Sequence, residues 1–200
     1  MKRLVVATTN QGKLREIAHC LEGIVDELLS LADFPAIGAI VEDGATFREN
    51  ALIKARTVGE LTGLPTLADD SGLEVRCLGG RPGVYSARYA GDHATDIDNN
   101  AKLLREMAEV PAAERDASFH CAMVLWLPGG EYAAFDGYLP GSILTRFQGE
   151  GGFGYDPLFQ VSGDERTLAE LSVAEKNLIS HRGRALEQVR GYLLQNRVLC

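Results

Sequence analysis

Two adjacent carboxylates, Asp69 and Asp70, interrupt the apolar run of LPTLADDSGLEV, residues 64–75. Neighbouring like charges repel, so something positive must sit close to them. A hard divalent cation is one answer, since Mg²⁺ favours one or two carboxylates completed by water and phosphate oxygens. Glu42, in VEDGATF, is a candidate third acid. On this reading Asp69 and Asp70 close a strand and Ser71-Gly72 turns the chain. A plain surface turn is the competing reading, because Asp, Ser and Gly are each favoured in turns.

Three further clusters could carry chemistry. TTNQGK (8–13) lies between an expected strand and an expected helix, where unpaired N–H groups and the helix dipole attract an anion and Lys13 adds a full charge. It is not a Walker A loop, which needs glycine where Ala7 stands and Ser or Thr where Leu14 stands. Asn10 is equally suited to be an ordinary helix cap. GEGGFGYDP (149–157) packs four glycines around Phe153 and Tyr155, a composition that lets backbone and an aromatic face approach a flat ligand. It could equally be a hairpin loop. EKNLISHRG (175–183) gathers Lys176, His181 and Arg182, either as donors to a ligand or as a solvated helix flank. His120, within an apolar run, reads as a satisfied buried histidine. One cluster suits phosphate, one metal, one a base ring, and one its acceptor atoms; a nucleoside triphosphate with Mg²⁺ uses all four.

The charge balance narrows the partners. Twenty-eight Asp and Glu against 20 Lys and Arg give a net charge of -8, which argues against nucleic-acid binding driven by a basic face. The four-residue apolar run in MKRLVVATTN is too short for a signal core or a membrane span, so no membrane association is expected. Cys20, Cys77, Cys121 and Cys200 show no metal or disulfide spacing. Reduced thiols and a cytoplasmic location are the expectation.

The elements that must position these residues follow from periodicity. RLVVAT (3–8) reads as a strand, and Leu14, Ile17, Ala18 and Leu21 mark the following helix. Thr46 and Glu49 form a capping box ahead of a helix with Phe47, Ala51, Ala55 and Val58 on one face, ending at TGLP. LEVRCL (73–78) alternates as a strand, and GGRPGVYSARYAG after it reads as a loop. A helix is expected over 96–108 with Ile97, Ala101, Leu104 and Ala108 buried. SFHCAMVLWL suits a central strand, YAAFDGYLPGSIL further strand broken at Gly137 and Pro140, and LFQV a short strand. Capping boxes at Thr167/Glu170 and Ser172/Glu175 precede a last helix bearing Ala185, Leu186, Val189 and Leu193. This order predicts an α/β fold with a mixed sheet in a single domain, residues 1–200.

ATTNQGKLREI, EDGATFRENALIKA, LADDSGLEV, PGVYSARYAG, GEGGFGYDPLF and EKNLISHRGRAL, spread over residues 4–190, together resemble the inosine triphosphate pyrophosphatase family, the dITP/XTP pyrophosphatases that remove non-standard purine nucleotides. The resemblance implies an elongated mixed sheet flanked by helices in two lobes with a central cleft. It also implies a homodimer and Mg²⁺-dependent hydrolysis of ITP, dITP or XTP to monophosphate and pyrophosphate. By position, Thr8, Thr9, Asn10, Gln11, Gly12 and Lys13 would hold the phosphates. Glu42 and Asp70 would bind Mg²⁺, and Asp70 would also accept the proton of the attacking water. Lys13 would stabilise the departing pyrophosphate, Asp69 would lie near the metal, and Ser71 would touch substrate. Phe153, Gly154, Tyr155, Asp156, Lys176, His181 and Arg182 would form the nucleotide pocket. In this picture the divalent ion is what lets Asp69 and Asp70 tolerate each other. The tail NRVLC lies outside the resemblance. A related pyrophosphatase for modified pyrimidines and a nucleotide sensor without turnover are the competing functions.

Overall fold

The computed structural model describes residues 2–196. Its six-stranded sheet has the order β2-β1-β3-β4-β5-β6, with strands β1 (Arg3–Val6), β2 (Glu27–Ser30), β3 (Thr66–Val75), β4 (Asp116–Trp126), β5 (Tyr132–Ile143) and β6 (Phe159–Val161). Among the described residues five α-helices accompany it: α1 (Gln11–Cys20), α2 (Phe47–Thr62), α3 (Asp96–Glu106), α4 (Val173–Ile179) and α5 (His181–Asn196). β1 runs parallel to β2 and β3, and β5 runs antiparallel to β6, so the sheet is mixed as expected. By contact density the chain forms two compact units. One comprises the chain up to Asp70, Cys121–Gly137 and the chain from Arg182 on; the other comprises Ser71–His120 and Tyr138–His181.

In the first unit the strand period of two sorts side chains to opposite faces. Leu4, Val6 and Leu67 pack with Ile17 and Leu21 of the α1 segment and with Ala185, Leu186, Val189 and Leu193 of α5. Val5, Ala7 and Ala68 pack instead with Ala51, Ala55 and Val58 of α2 and with Trp126. The second unit has its own core, including Leu73, Leu103, Met107, Phe119, Leu139, Tyr155 and Phe159.

Several expectations need correction. β3 is continuous through Asp69-Asp70-Ser71-Gly72, and there is neither a strand end nor a turn at that point. It ends at Val75, and Arg76–Leu78, read as strand, form a 3₁₀ turn. The following segment is not all loop, since Gly83–Arg88 form a 3₁₀ helix. β5 is unbroken at Gly137 and Pro140. The Pro140 carbonyl accepts from Ser162 N, so its nitrogen faces the same side, just past the last β5–β6 pair, Gly141↔Val161, where little is lost by lacking a donor. Glu170 accepts from Thr167 N and Oγ1, which is half of a capping box, but Glu170 N donates to the Thr167 carbonyl and the pair closes a turn. β2 was absent from the sequence reading because ELLS is short and only partly buried, and pairing with β1 is what makes it a strand.

On α3 the buried side chains are Asn99, Asn100 and Leu103, while Ile97 is 72% exposed. Hydrophobicity pointed to the wrong stripe because both asparagines are occupied by backbone: Asn99 bonds Ala90 N and Ala87 O, and Asn100 donates to Asp96 O and Gly154 O. Arg115, also buried, reaches four carbonyls, those of Met107, Val110, Ile143 and Leu144.

One close approach in α2 yields a test. A Cβ on Gly59 would stand 2.1 Å from Trp126 Cε3, and Trp126 is itself buried. Helix propensity alone favours Gly59→Ala by about 1 kcal/mol, whereas overpacking a closed core costs about 1–3 kcal/mol. The expected outcome is a lower Tm in thermal unfolding; a rise would mean that the indole moves aside.

Candidate active site

Alternation along β3 decides the geometry of the acid pair, because Asp69 follows Leu67 onto the face packed by α1 and α5 while Asp70 follows Ala68 onto the face packed by α2. Asp69 is 4% exposed. Lys13 Nζ donates to its Oδ2 at 2.7 Å, and Arg182 Nε lies 3.7 Å from the same oxygen. Arg182 Nη1 also pairs with Glu16 Oε2 at 2.9 Å. Burial pushes the Asp69 carboxyl up, but Lys13, Arg182 and the more distant Lys54 outweigh it and hold the pKa at about 2. Burial opposes the charge on Arg182 too, and Asp69 and Glu16 raise its pKa on balance.

Asp70 has different company. Asn50 Nδ2 donates to Asp70 Oδ2 at 3.0 Å, while Asn50 Oδ1 accepts from Gly44 N at 2.9 Å, which fixes the direction of the amide. Lys54, one helical turn after Asn50, places Nζ 2.7 Å from Glu42 Oε2 and 4.0 Å from Asp70 Oδ1. The two acids assigned to metal therefore converge on one positive charge. The idea that a divalent ion must cancel repulsion within the pair is corrected: the two carboxylates occupy opposite faces, and each has its own cation. Neither Asn50 nor Lys54 was picked out from the sequence. Their i, i+4 spacing on the helix that follows Glu42 was the available signal.

The loop at residues 8–13 is arranged as a cap. Asn10 Oδ1 accepts from Gly12 N at 2.8 Å and Lys13 N at 3.1 Å, and Asn10 N donates to Thr8 Oγ1. Two N–H groups expected to face phosphate are thus satisfied by Asn10 itself. Thr9, Asn10 and Gln11 are exposed.

In the second unit, the glycine-rich loop is held from inside. Asp156 is buried, accepts from Phe153 N at 2.9 Å and is ion-paired with Lys176. The Lys176 ammonium lies 4.4 Å from the centre of the Phe153 ring, and that ring is 67% exposed. Tyr155 is buried, donates its hydroxyl to Ser86 O, and has its pKa raised by burial. Ser71 is partly buried in β3, and His181 stacks on Phe119 at 5.2 Å. His120, expected to be buried, is half-buried; it stacks on Tyr138, and its Nδ1 lies 3.6 Å from Glu74 Oε2. Lys13, Glu42, Asp69, Asp70 and Arg182 thus lie in the first unit, and Ser71, Phe153–Asp156, Lys176 and His181 in the second.

Residues 4–192 match the Ham1 family model. The chain belongs to the Ham1 family. A relative from Geobacter sulfurreducens, named dITP/XTP pyrophosphatase, is 57% identical over 193 residues, covering 96% of this chain and 97% of the relative. One from Lactiplantibacillus plantarum, with the same name, is 53% identical and covers 93% and 92%. The structure of a HAM1 protein from Coxiella burnetii superposes with a TM-score of 0.92 at 42% identity, covering 98% of this chain and 100% of that one.

As a Ham1 chain, the protein couples its buried acid to acid stability in a definite direction. A carboxyl with a depressed folded pKa stabilises above its unfolded value, about 3.9, and loses that contribution as pH falls towards the folded value. Asp69→Asn should cost about 3 kcal/mol at neutral pH, the low end for a broken buried ion pair, since Lys13 is partly exposed and Arg182 keeps Glu16. Denaturant titrations should show the gap between wild type and variant narrowing from pH 4 towards pH 2, and a constant gap would contradict the assigned ionisation.

Proposed function

We propose that the protein is a nucleoside-triphosphate diphosphatase that hydrolyses ITP, dITP and XTP to the monophosphate and pyrophosphate, clearing these nucleotides before they enter DNA and RNA. The observation that carries the reading is the convergence of Glu42, Asp70 and Lys54 beside a second charged cluster built on Asp69, in a chain of the Ham1 family. The name dITP/XTP pyrophosphatase, carried by the relatives from Geobacter sulfurreducens and Lactiplantibacillus plantarum, supports the same substrate class.

Water attacks the α-phosphorus, the bond to the α–β bridging oxygen breaks, and pyrophosphate leaves with that electron pair. Asp70 takes the proton of the attacking water, with Asn50 fixing the carboxylate's orientation. Lys13 and Lys54 offset negative charge on the phosphate oxygens, Lys13 on the departing pyrophosphate. Thr8 to Lys13 would border the phosphates, with Asn10 yielding its hold on the Gly12 and Lys13 N–H groups.

Among the described residues no three His, Cys, Asp or Glu side chains form a metal cluster. The donor set nevertheless suits a hard divalent cation, because two carboxylates already share one positive charge at Lys54. Mg²⁺ would be held by Glu42 and Asp70 and would supply charge neutralisation at the phosphate.

Base recognition is assigned to Phe153–Asp156, Lys176, His181 and Arg182, with Ser71 also touching substrate. Hypoxanthine and xanthine carry an acceptor oxygen at the 6-position where adenine carries an amino donor, and donor-only Lys and Arg side chains favour the former. A homodimer in the cytoplasm belongs to the same proposal. Free thiols at Cys20, Cys77 and Cys121 support the compartment, and no helix among the described residues is long and apolar enough to cross a membrane.

The test is incubation with ITP, dITP, XTP, GTP and ATP, with and without Mg²⁺, identifying the phosphate product. Pyrophosphate from ITP, dITP and XTP is expected, and binding without product would favour a sensor. Asp70→Asn should lower kcat by about 10²–10⁴-fold at saturating Mg²⁺, the range for loss of a general base; near wild-type turnover would remove that role from Asp70.

A further inference from the structure

We infer that Asp96 and Asn100, one turn apart at the start of α3, are positioning residues for purine selectivity because together they clamp both backbone groups of Gly154. Gly154 N donates to Asp96 Oδ2 at 2.7 Å, and Asn100 Nδ2 donates to Gly154 O at 2.7 Å. A helix places side chains i and i+4 on one face, and here that pair grips a single peptide residue from both sides.

The loop needs such a hold. Gly154 has φ +60°, a left-handed conformation from which a glycine swings away at little cost. Gly149, Gly151 and Gly152 precede it, so the chain around Phe153 has few intrinsic restraints. Asp156 fixes the Phe153 N–H on one side. The α3 clamp fixes the adjoining peptide on the other, and between them the exposed ring and the ammonium over it acquire one orientation.

Asn100 also bears a cost that packing does not explain. It is 2% exposed on the same helix face as Leu103 and Met107, where an apolar side chain would pack without desolvating an amide. Both its contacts are carbonyls, of Asp96 and Gly154, so the amide nitrogen must face them. Its Oδ1 is then left buried with no hydrogen-bond partner. The fold accepts an unsatisfied acceptor in order to hold the Gly154 carbonyl.

The inference rests on the assignment of Phe153–Asp156 to base recognition, and the experiment separates the two. Steady-state kinetics with ITP and ATP, together with Tm, are measured for Asp96→Ala, Asn100→Ala, Asp96→Asn and Phe153→Ala. Asp96→Ala and Asn100→Ala should raise KM for ITP and lower the ITP-to-ATP ratio of kcat/KM about tenfold while saturated kcat stays within about threefold, as for a lost orientation and not a lost chemical group. Asp96→Asn, whose amide oxygen accepts the same bond, should restore the ratio, and Phe153→Ala should lower it. An unchanged ratio in the clamp variants alongside a fall in Phe153→Ala overturns the clamp alone. An unchanged ratio in all of them overturns the base-recognition assignment as well. An equal fall in Asp96→Asn also counts against the clamp, since the hydrogen bond would then not be the cause. Should Asn100→Ala fail to fold, exposed Asp96 carries the test by itself.

Discussion

The charged organisation of the first unit depends on a property of any β-strand: successive side chains leave on opposite faces. At Asp69 and Asp70 that rule converts an unfavourable sequence, two acids in a row, into two electrostatic centres with a strand between them. Asp69 binds Lys13 and Arg182 in a nearly dry setting. Asp70 meets Asn50 and the approach of Lys54 on the α2 face. β3 runs on through Ser71 and Gly72 to Val75, so both acids sit inside the alternation and not at its end.

The two centres suit different tasks. A carboxylate held at about pKa 2 by nearby cations is a poor proton acceptor at neutral pH and a good anchor for Lys13 and Arg182. Asp70 is less buried, shares Lys54 with Glu42, and is oriented by one amide whose other end is tied to backbone. The proposed base chemistry therefore falls on this second carboxylate. The second unit follows a related logic with backbone in place of charge. In a glycine-rich loop, Asp96, Asn100 and Asp156 take up peptide groups, and Gly151 N bonds the Ala169 carbonyl.

Misread elements share one cause, which is partners brought from far along the chain. Asp-Asp-Ser-Gly has the composition of a turn, yet it lies in a strand because cations from α1, α2 and α5 offset the desolvation of its acids. Asn99 and Asn100 look like surface residues until the backbone at 87–90 and 154 is seen against them. ELLS becomes a strand through β1, and Pro140 is tolerated in β5 because the paired residues of β6 stop one position short. Asn50 and Lys54 passed unnoticed since a helical Asn and Lys carry no signal without knowledge of what lies opposite.

The sequence by itself determined the helix starts at Thr46, Ser172 and Asn10, the apolar faces of α2 and α5, the mixed α/β class, the family, and the residue types available for phosphate and metal chemistry. These depend on neighbours within a few positions, or on a pattern spread along nearly the whole chain. Tertiary structure alone decided which acid faces which cation, which asparagines are buried, and which peptide groups α3 holds. Those outcomes are set by pairs up to 166 residues apart, as for Arg182 and Glu16, and electrostatic and hydrogen-bond energies depend on distance in space, which local sequence does not encode.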